Sequence, residues 1–155
     1  VRPSAARVPV AGATGVFGGA TTAEPADRGA RVALAGRDPS RLSRAARTHP
    51  GAVTARCDAD GPESGARAVR DTLAAPEGLE GFVAAFGSVA FGAAEEAGDE
   101  GAEHLMPVGH LAPAAFCHAA HGILRTGPAI AAVTGVMAEP PQPRMTGHSV
   151  SRAAR

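Results

Sequence analysis

The sequence contains no lysine, asparagine, tyrosine or tryptophan. Any mechanism that needs a lysine amine, a phenol or an asparagine amide is therefore excluded at the outset. Net charge is missing too, because fifteen Arg are balanced by fifteen Asp plus Glu. The long-range field that draws proteins onto nucleic acid or anionic membranes is absent, and neither partner is expected. Large apolar residues are scarce: the hydrophobic fraction of 45% rests on 37 Ala, and Leu, Ile, Val and Phe supply only 27 of 155 residues. Such a composition accompanies disorder when net charge is high, but here the charge is zero and the apolar residues are clustered. A compact, Ala-padded single domain spanning residues 1–155 is expected.

Cysteine is limited to Cys57 and Cys117, with no CxxC or Cys/His ligand spacing. The expectation is two free thiols in a cytoplasmic chain and no metal site. No long hydrophobic run occurs. Val1 to Ala20 has no basic start followed by an apolar stretch, and the run from Ala129 to Ala138 is broken by Thr134 and Gly135. Neither a signal peptide nor a membrane span is expected.

What is present is a succession of short β-branched runs with helix-compatible stretches between them, the pattern of βαβ units and a parallel sheet. The expected strands are Arg7 to Ala11, Arg31 to Ala35, Ala52 to Cys57, Gly81 to Phe86 and Ala129 to Thr134. The expected helices are Val16 to Arg28, Pro39 to Thr48, Pro62 to Ala75 and a longer region, Phe91 to Arg125, that holds two. Pro39 and Pro62 suit a first helical turn, where the missing N–H costs nothing. Two prolines oppose the pattern. Pro9 deletes a ladder hydrogen bond in a central strand, and Pro25 costs roughly 3 kcal/mol inside a helix unless the helix ends or kinks there.

Directly after the first strand, Gly12, Gly15 and Gly18 are spaced GxxGxxG. A glycine at the strand end permits a tight turn, the next lets backbone approach a pyrophosphate, and the third allows close packing of helix on strand. The helix N-terminus behind them offers free N–H groups to phosphate. After the second strand comes Ala35-Gly36-Arg37-Asp38-Pro39, with no carboxylate at the strand end to hold a ribose 2′-hydroxyl. Arg37 is placed to meet a 2′-phosphate, which favours NADP over NAD, although Asp38 remains an alternative acceptor.

Four landmarks in order resemble the short-chain dehydrogenase/reductase family. They are Ala-Gly-Ala-Thr-Gly-Val-Phe-Gly at 11–18, Ala-Gly-Arg-Asp-Pro-Ser-Arg-Leu at 35–42, Cys57-Asp58-Ala59-Asp60 closing the third strand, and Val83-Ala84-Ala85-Phe86-Gly87 after the fourth. The resemblance implies a doubly wound, Rossmann-like α/β sheet of strand order 3-2-1-4-5. It also implies nicotinamide dinucleotide binding at Gly12, Thr14, Gly15, Val16, Phe17, Gly18, Arg37, Asp58, Ala59 and Ala85. A small carbonyl or alcohol substrate and a homo-oligomer follow from the same source. The family continues further than Arg155, so the domain is read as incomplete at its C-terminus.

The resemblance extends to the segments that carry the family's catalytic Asn, Ser, Tyr and Lys. Those positions fall on Gly109, Gly135, His148 and Arg152, and the 13-residue interval from 135 to 148 fits the family's Ser-to-Tyr spacing. All four residue types are replaced. Hydride transfer needs an acid and a donor at the developing alkoxide, so the replacement removes most of the acceleration. One repair is conceivable: His148 as proton donor, the Thr134 hydroxyl beside the vacant Ser position, and Arg152 on the ribose. Arg152 beside His148 opposes imidazolium formation, and Thr134 points to the opposite face from residue 135 in a strand. The two functional readings are thus an oxidoreductase with impaired chemistry and a protein without turnover, either a non-catalytic cofactor-binding or regulatory protein or a truncated, non-functional remnant. Among His104, His110, His118 and His121 only the last two have helical contact spacing, and they read as helix-face residues rather than metal ligands. The acidic run Glu95, Glu96, Asp99, Glu100 and Glu103 reads as a solvated helix face.

Overall fold

The computed structural model describes residues 6–58, 79–88, 105–121 and 124–133, together with Glu63, Arg67 and Glu103. The elements run β1 (Arg7–Ala11), α1 (Val16–Asp27), β2 (Arg31–Gly36), α2 (Pro39–Thr48), β3 (Val53–Arg56), β4 (Leu79–Ala84), a π-helical turn (Pro107–Leu111) leading into α3 (Ala112–His121), and β5 (Leu124–Ala132). The strands form one parallel sheet in the order β3-β2-β1-β4-β5. This is the doubly wound arrangement implied by the sequence.

Alternation along the strands divides a small apolar inventory between two faces. Val10, Val32 and Leu34 pack with Ala13, Leu42 and Ala85 on the face that carries α1 and α2. Ala11, Ala35, Phe82 and Ala84 face Ala112, Phe116 and Ala120 of α3. The second face is built on alanine, and three phenylalanines fill it. Phe116 stacks on Phe82 with centroids 5.7 Å apart and meets Phe86 at 5.3 Å in a tilted arrangement. Such pairs stabilise beyond their burial by about 0.5–1.5 kcal/mol each.

The two prolines behave differently. In a strand, N–H and C=O groups of one residue point to the same side and alternate from residue to residue. The Gly12 N–H donates to Ala35 of β2, and the Ala11 carbonyl accepts from Ala85 beyond β4, so odd residues of β1 face β4. Pairing of β1 with β4 begins only at Val10↔Val83. Pro9 thus turns its missing N–H toward β4, and the pairing of the two strands starts one residue beyond it. One step earlier on that side, the Arg7 N–H is taken by Glu80 Oε2 at 2.8 Å. Pro25 sits in the last turn of α1, which ends at Asp27 and is followed by a left-handed Gly29, φ +83°. There the Gly29 N–H bonds the Ala26 carbonyl and the Ala30 N–H bonds the Pro25 carbonyl, the Schellman pattern that satisfies helix-end acceptors.

Two strands depart from expectation by more than one residue. Strand β4 lies two residues earlier, because Ala85 and Phe86 already leave the sheet at its crevice. Strand β5 begins at Leu124 rather than 129 and claims residues assigned to the preceding helical region. Leu124 pairs with Leu79, and the register then slips before Ala129 pairs with Gly81. That slip absorbs Gly127 and Pro128, which read in sequence as a break. Of the helix expected at Pro62 to Ala75, Glu63 and Arg67 are helical and exposed, and the remaining positions lie outside the described residues. None of the described helices is long and apolar enough to cross a membrane.

Candidate functional site

The site forms where the ends of β1 and β4 part, since α1 follows β1 on one face and α3 lies on the other. Open parallel sheets bind ligands at such switch points. The chain leaves β1 through Gly12 at φ +81°, a conformation that costs a side-chain-bearing residue energy. A Cβ there would stand 2.5 Å from the Ala85 carbonyl oxygen and 2.9 Å from Cβ of Phe86, so the turn needs glycine for space as well as for conformation. The Gly12 and Ala13 N–H groups both donate to the Ala35 carbonyl, at 2.9 and 3.1 Å, which pins the turn to β2.

Gly18 has a different task. A Cβ on it would collide with the Gly12 carbonyl oxygen and lie 2.9 Å from Cα of Ala13, so its absence is what lets α1 lie against the turn. Gly15 is the N-cap of α1 with ordinary extended backbone, φ −83° and ψ 171°, and no side chain caps the helix. The first intrahelical donor is Gly19, bonded to the Gly15 carbonyl at 2.8 Å. The N–H groups of Val16, Phe17 and Gly18 are left without an intrahelical acceptor and carry the positive end of the helix dipole. Val16 is 88% exposed and Phe17 67% exposed. Two large apolar side chains thus stand in the open beside three uncommitted amides.

Thr14 connects this turn to the end of β2. A Cβ at Gly36 would lie 3.4 Å from the Thr14 hydroxyl oxygen, so the two positions adjoin. Arg37 follows and is exposed. Asp38, the alternative acceptor for a ribose hydroxyl, is committed to its own helix: one oxygen accepts from the N–H groups of Ser40 at 2.8 Å and Arg41 at 3.1 Å. That geometry caps α2, with Pro39 in its first turn.

Asp58 ends the described part of the third landmark. Its neighbour Cys57 closes the core below and donates its N–H to the Gly36 carbonyl at 2.9 Å. Burial, helped by the charge of Asp58, pushes the Cys57 thiol up to about 12 from an ordinary 9.0, so this sulfur stays protonated and inert. The structure brings together Gly12, Thr14, Gly15, Val16, Phe17, Gly18 and Ala85, with Arg37 one residue past the neighbouring strand. Ala59, Gly135, His148 and Arg152 lie outside the described residues, as does Thr134.

Gly109 is the one catalytic-segment position described. It is buried in the π-helical turn, where the Ala112 N–H reaches the Pro107 carbonyl. Single π turns inside helices often mark functional segments. His110 beside it holds Nδ1 buried with no hydrogen-bond partner. His118 and His121 are exposed on α3, as a helix-face reading requires, and no group of metal-ligating side chains occurs among the described residues. One contact was not legible in the sequence: Arg41 Nη2 donates to the Thr14 carbonyl at 2.6 Å, across 27 residues.

A parallel sheet of this order with a glycine turn and an uncapped helix at its switch point is a dinucleotide-binding fold. Residues 12–155 match the model of a family described as enoyl-(acyl carrier protein) reductase. The chain belongs to the short-chain dehydrogenase/reductase family. It superposes on a short-chain dehydrogenase/reductase of Serratia marcescens with a TM-score of 0.93 at 19% identity, covering 99% of this chain and 65% of that one. A dehydrogenase/reductase of Sinorhizobium meliloti gives 0.87 at 27% identity, with 99% and 64% covered. A short-chain oxidoreductase of Pseudomonas aeruginosa, solved with NADPH and described as having an atypical catalytic center, gives 0.88 at 23% identity, with 97% and 62% covered. The chain therefore spans about 65% of the length of the Serratia protein. A search of curated proteins finds no match.

Proposed function

We propose that this chain binds NADP(H) in the crevice above β1 and β4, and that dinucleotide binding survives in it without the family's usual proton-transfer groups. The observation that carries the proposal is the turn itself. Gly12 and Gly18 let the turn pack closely against Ala85 and Ala13, where a Cβ would collide, and the three first amides of α1 stand beside it without a side-chain cap. A pyrophosphate supplies the acceptors and the charge that those amides favour. The fit continues at the end of β2, where Asp38 is committed to Ser40 and Arg41 and Arg37 is available to a 2′-phosphate. The NADPH held by the similar Pseudomonas oxidoreductase supports the same choice of cofactor.

When bound, the nicotinamide supplies or accepts hydride. The chain's own residues bind and orient: the turn holds phosphate, and exposed Val16 and Phe17 give apolar cover at its rim. At the positions where the family moves a proton, this sequence has Gly109, Gly135, His148 and Arg152. Glycine has no side chain to polarise a carbonyl, so turnover of a small carbonyl or alcohol substrate falls far below the family's norm. The second reading makes His148, whose imidazole titrates near neutral pH when unperturbed, a substitute proton donor.

Titration of NADPH into the purified chain, followed by nicotinamide fluorescence, tests the binding. Saturable binding tighter for NADPH than for NADH is expected, and no binding at millimolar cofactor refutes it. Panels of aldehydes, ketones and enones with NADPH then separate the two readings. Turnover that vanishes in His148→Ala establishes the second.

A further inference from the structure

The glycine turn and α2 are joined by one side chain, the guanidinium of Arg41 on the Thr14 carbonyl. The bond uses one of five guanidinium N–H donors. The Thr14 side chain adjoins Gly36 at the end of β2, and Arg37 is the next residue of the chain, so Thr14 links the Arg41 guanidinium to the strand end that carries Arg37. Backbone donors at this end of α2 are spent. Pro39 has none, Ser40 and Arg41 donate to the Asp38 carboxylate, and Leu42 donates to the Asp38 carbonyl at 3.0 Å. An anion arriving at this first turn is met by side chains.

We propose that Arg41 is a specificity-determining and positioning residue for the ribose 2′-phosphate. It closes on that phosphate opposite Arg37, and its bond to Thr14 ties the phosphate mechanically to the turn that takes the pyrophosphate. The inference rests on the reading of the crevice as a dinucleotide site and deepens it. Arg37 alone would add affinity at one point. Arg41 links the two phosphate-binding regions, so its loss both removes a charge-assisted contact and frees the turn from α2. Lysine at this position keeps charge without the planar fork, whereas glutamine keeps a donor for Thr14 without charge.

The experiment measures NADPH, NADH and adenosine 2′,5′-bisphosphate affinities for the full chain and for Arg41→Ala, Arg41→Lys and Arg41→Gln, with thermal melts confirming that each folds. Arg41→Ala and Arg41→Gln are expected to weaken NADPH and the bisphosphate about tenfold, with NADH changed about twofold or less. Arg41→Lys is expected to recover part of the NADPH affinity, and the salt dependence of NADPH binding is expected to flatten in the two uncharged variants. Equal weakening of NADPH and NADH in both uncharged variants, or no weakening of either, overturns the proposal. If the unaltered chain binds neither dinucleotide, the reading of the crevice fails first and this inference with it. If it binds NADPH and the variants keep its preference over NADH, only the role of Arg41 fails.

Discussion

Replacing Gly12 by alanine separates two effects that usually come together at glycine, conformation and space. Gly12 and Gly51 share φ +81°, yet a Cβ at Gly51 has nothing within 4 Å, whereas one at Gly12 meets Ala85 backbone at 2.5 and 2.8 Å and Phe86 at 2.9 Å. The left-handed conformation costs alanine about 1–2 kcal/mol at either site. Overpacking against backbone adds about 1–3 kcal/mol at Gly12 alone. The entropy that alanine removes from the unfolded chain is common to both and cancels in the difference. Gly51→Ala is thus expected to lose about 1–2 kcal/mol and Gly12→Ala about 2–5 kcal/mol. Equilibrium urea unfolding reads the difference, and the melting temperature follows at about 2–4 °C per kcal/mol for a domain of this size. Equal destabilisation by the two substitutions would refute the claim that backbone crowding by Ala85 dictates glycine at the turn.

Phe116 anchors a face otherwise lined by alanine, so Phe116→Ala is expected to cost about 3–5 kcal/mol by urea unfolding, while Phe116→Leu retains most of the stability. Removing the α2 cap in Asp38→Ala is expected to cost about 1 kcal/mol, and Asp38→Asn is expected to restore most of it because an amide oxygen still accepts from Ser40 and Arg41. The raised thiol pKa of Cys57 makes the native state hold its proton longer than the unfolded chain does. Stability therefore falls as pH climbs from about 9 towards 12. The shift sets a ceiling of about 4 kcal/mol, and solvent screening brings the expected loss to about 2 kcal/mol. Urea unfolding at stepped pH should show that slope diminished in Cys57→Ala; identical slopes in both proteins sink the assignment.

Strand β1, both ends of α2 and the start of α1 were legible because local signals agreed there: β-branched residues before a glycine turn, then Asp38-Pro39 opening a helix. Strand β5 was not, because its early pairing through Leu124 is a tertiary contact with Leu79 across a register slip, and Gly127-Pro128 locally argue against a strand. Pro9 was legible as the loss of a ladder bond, since its missing N–H faces β4 and the pairing of the two strands starts only at Val10. The glycine turn was visible from spacing, and its three glycines turned out unequal: Gly12 and Gly18 are enforced by crowding, Gly15 much less, with 3.3 Å to the Gly12 carbonyl oxygen. Arg41 escaped notice for the opposite reason. Its partner is a main-chain carbonyl on another element, and no side-chain pattern announces such a contact.

The amides beside the glycine turn are the groups that receive a dinucleotide's phosphates. Hydrogen exchange at individual residues, with and without NADPH, reads those amides directly. Slowed exchange at Val16, Phe17 and Gly18 is expected when NADPH is present. Unchanged exchange there under saturating NADPH, or protection confined to another part of the chain, contradicts it.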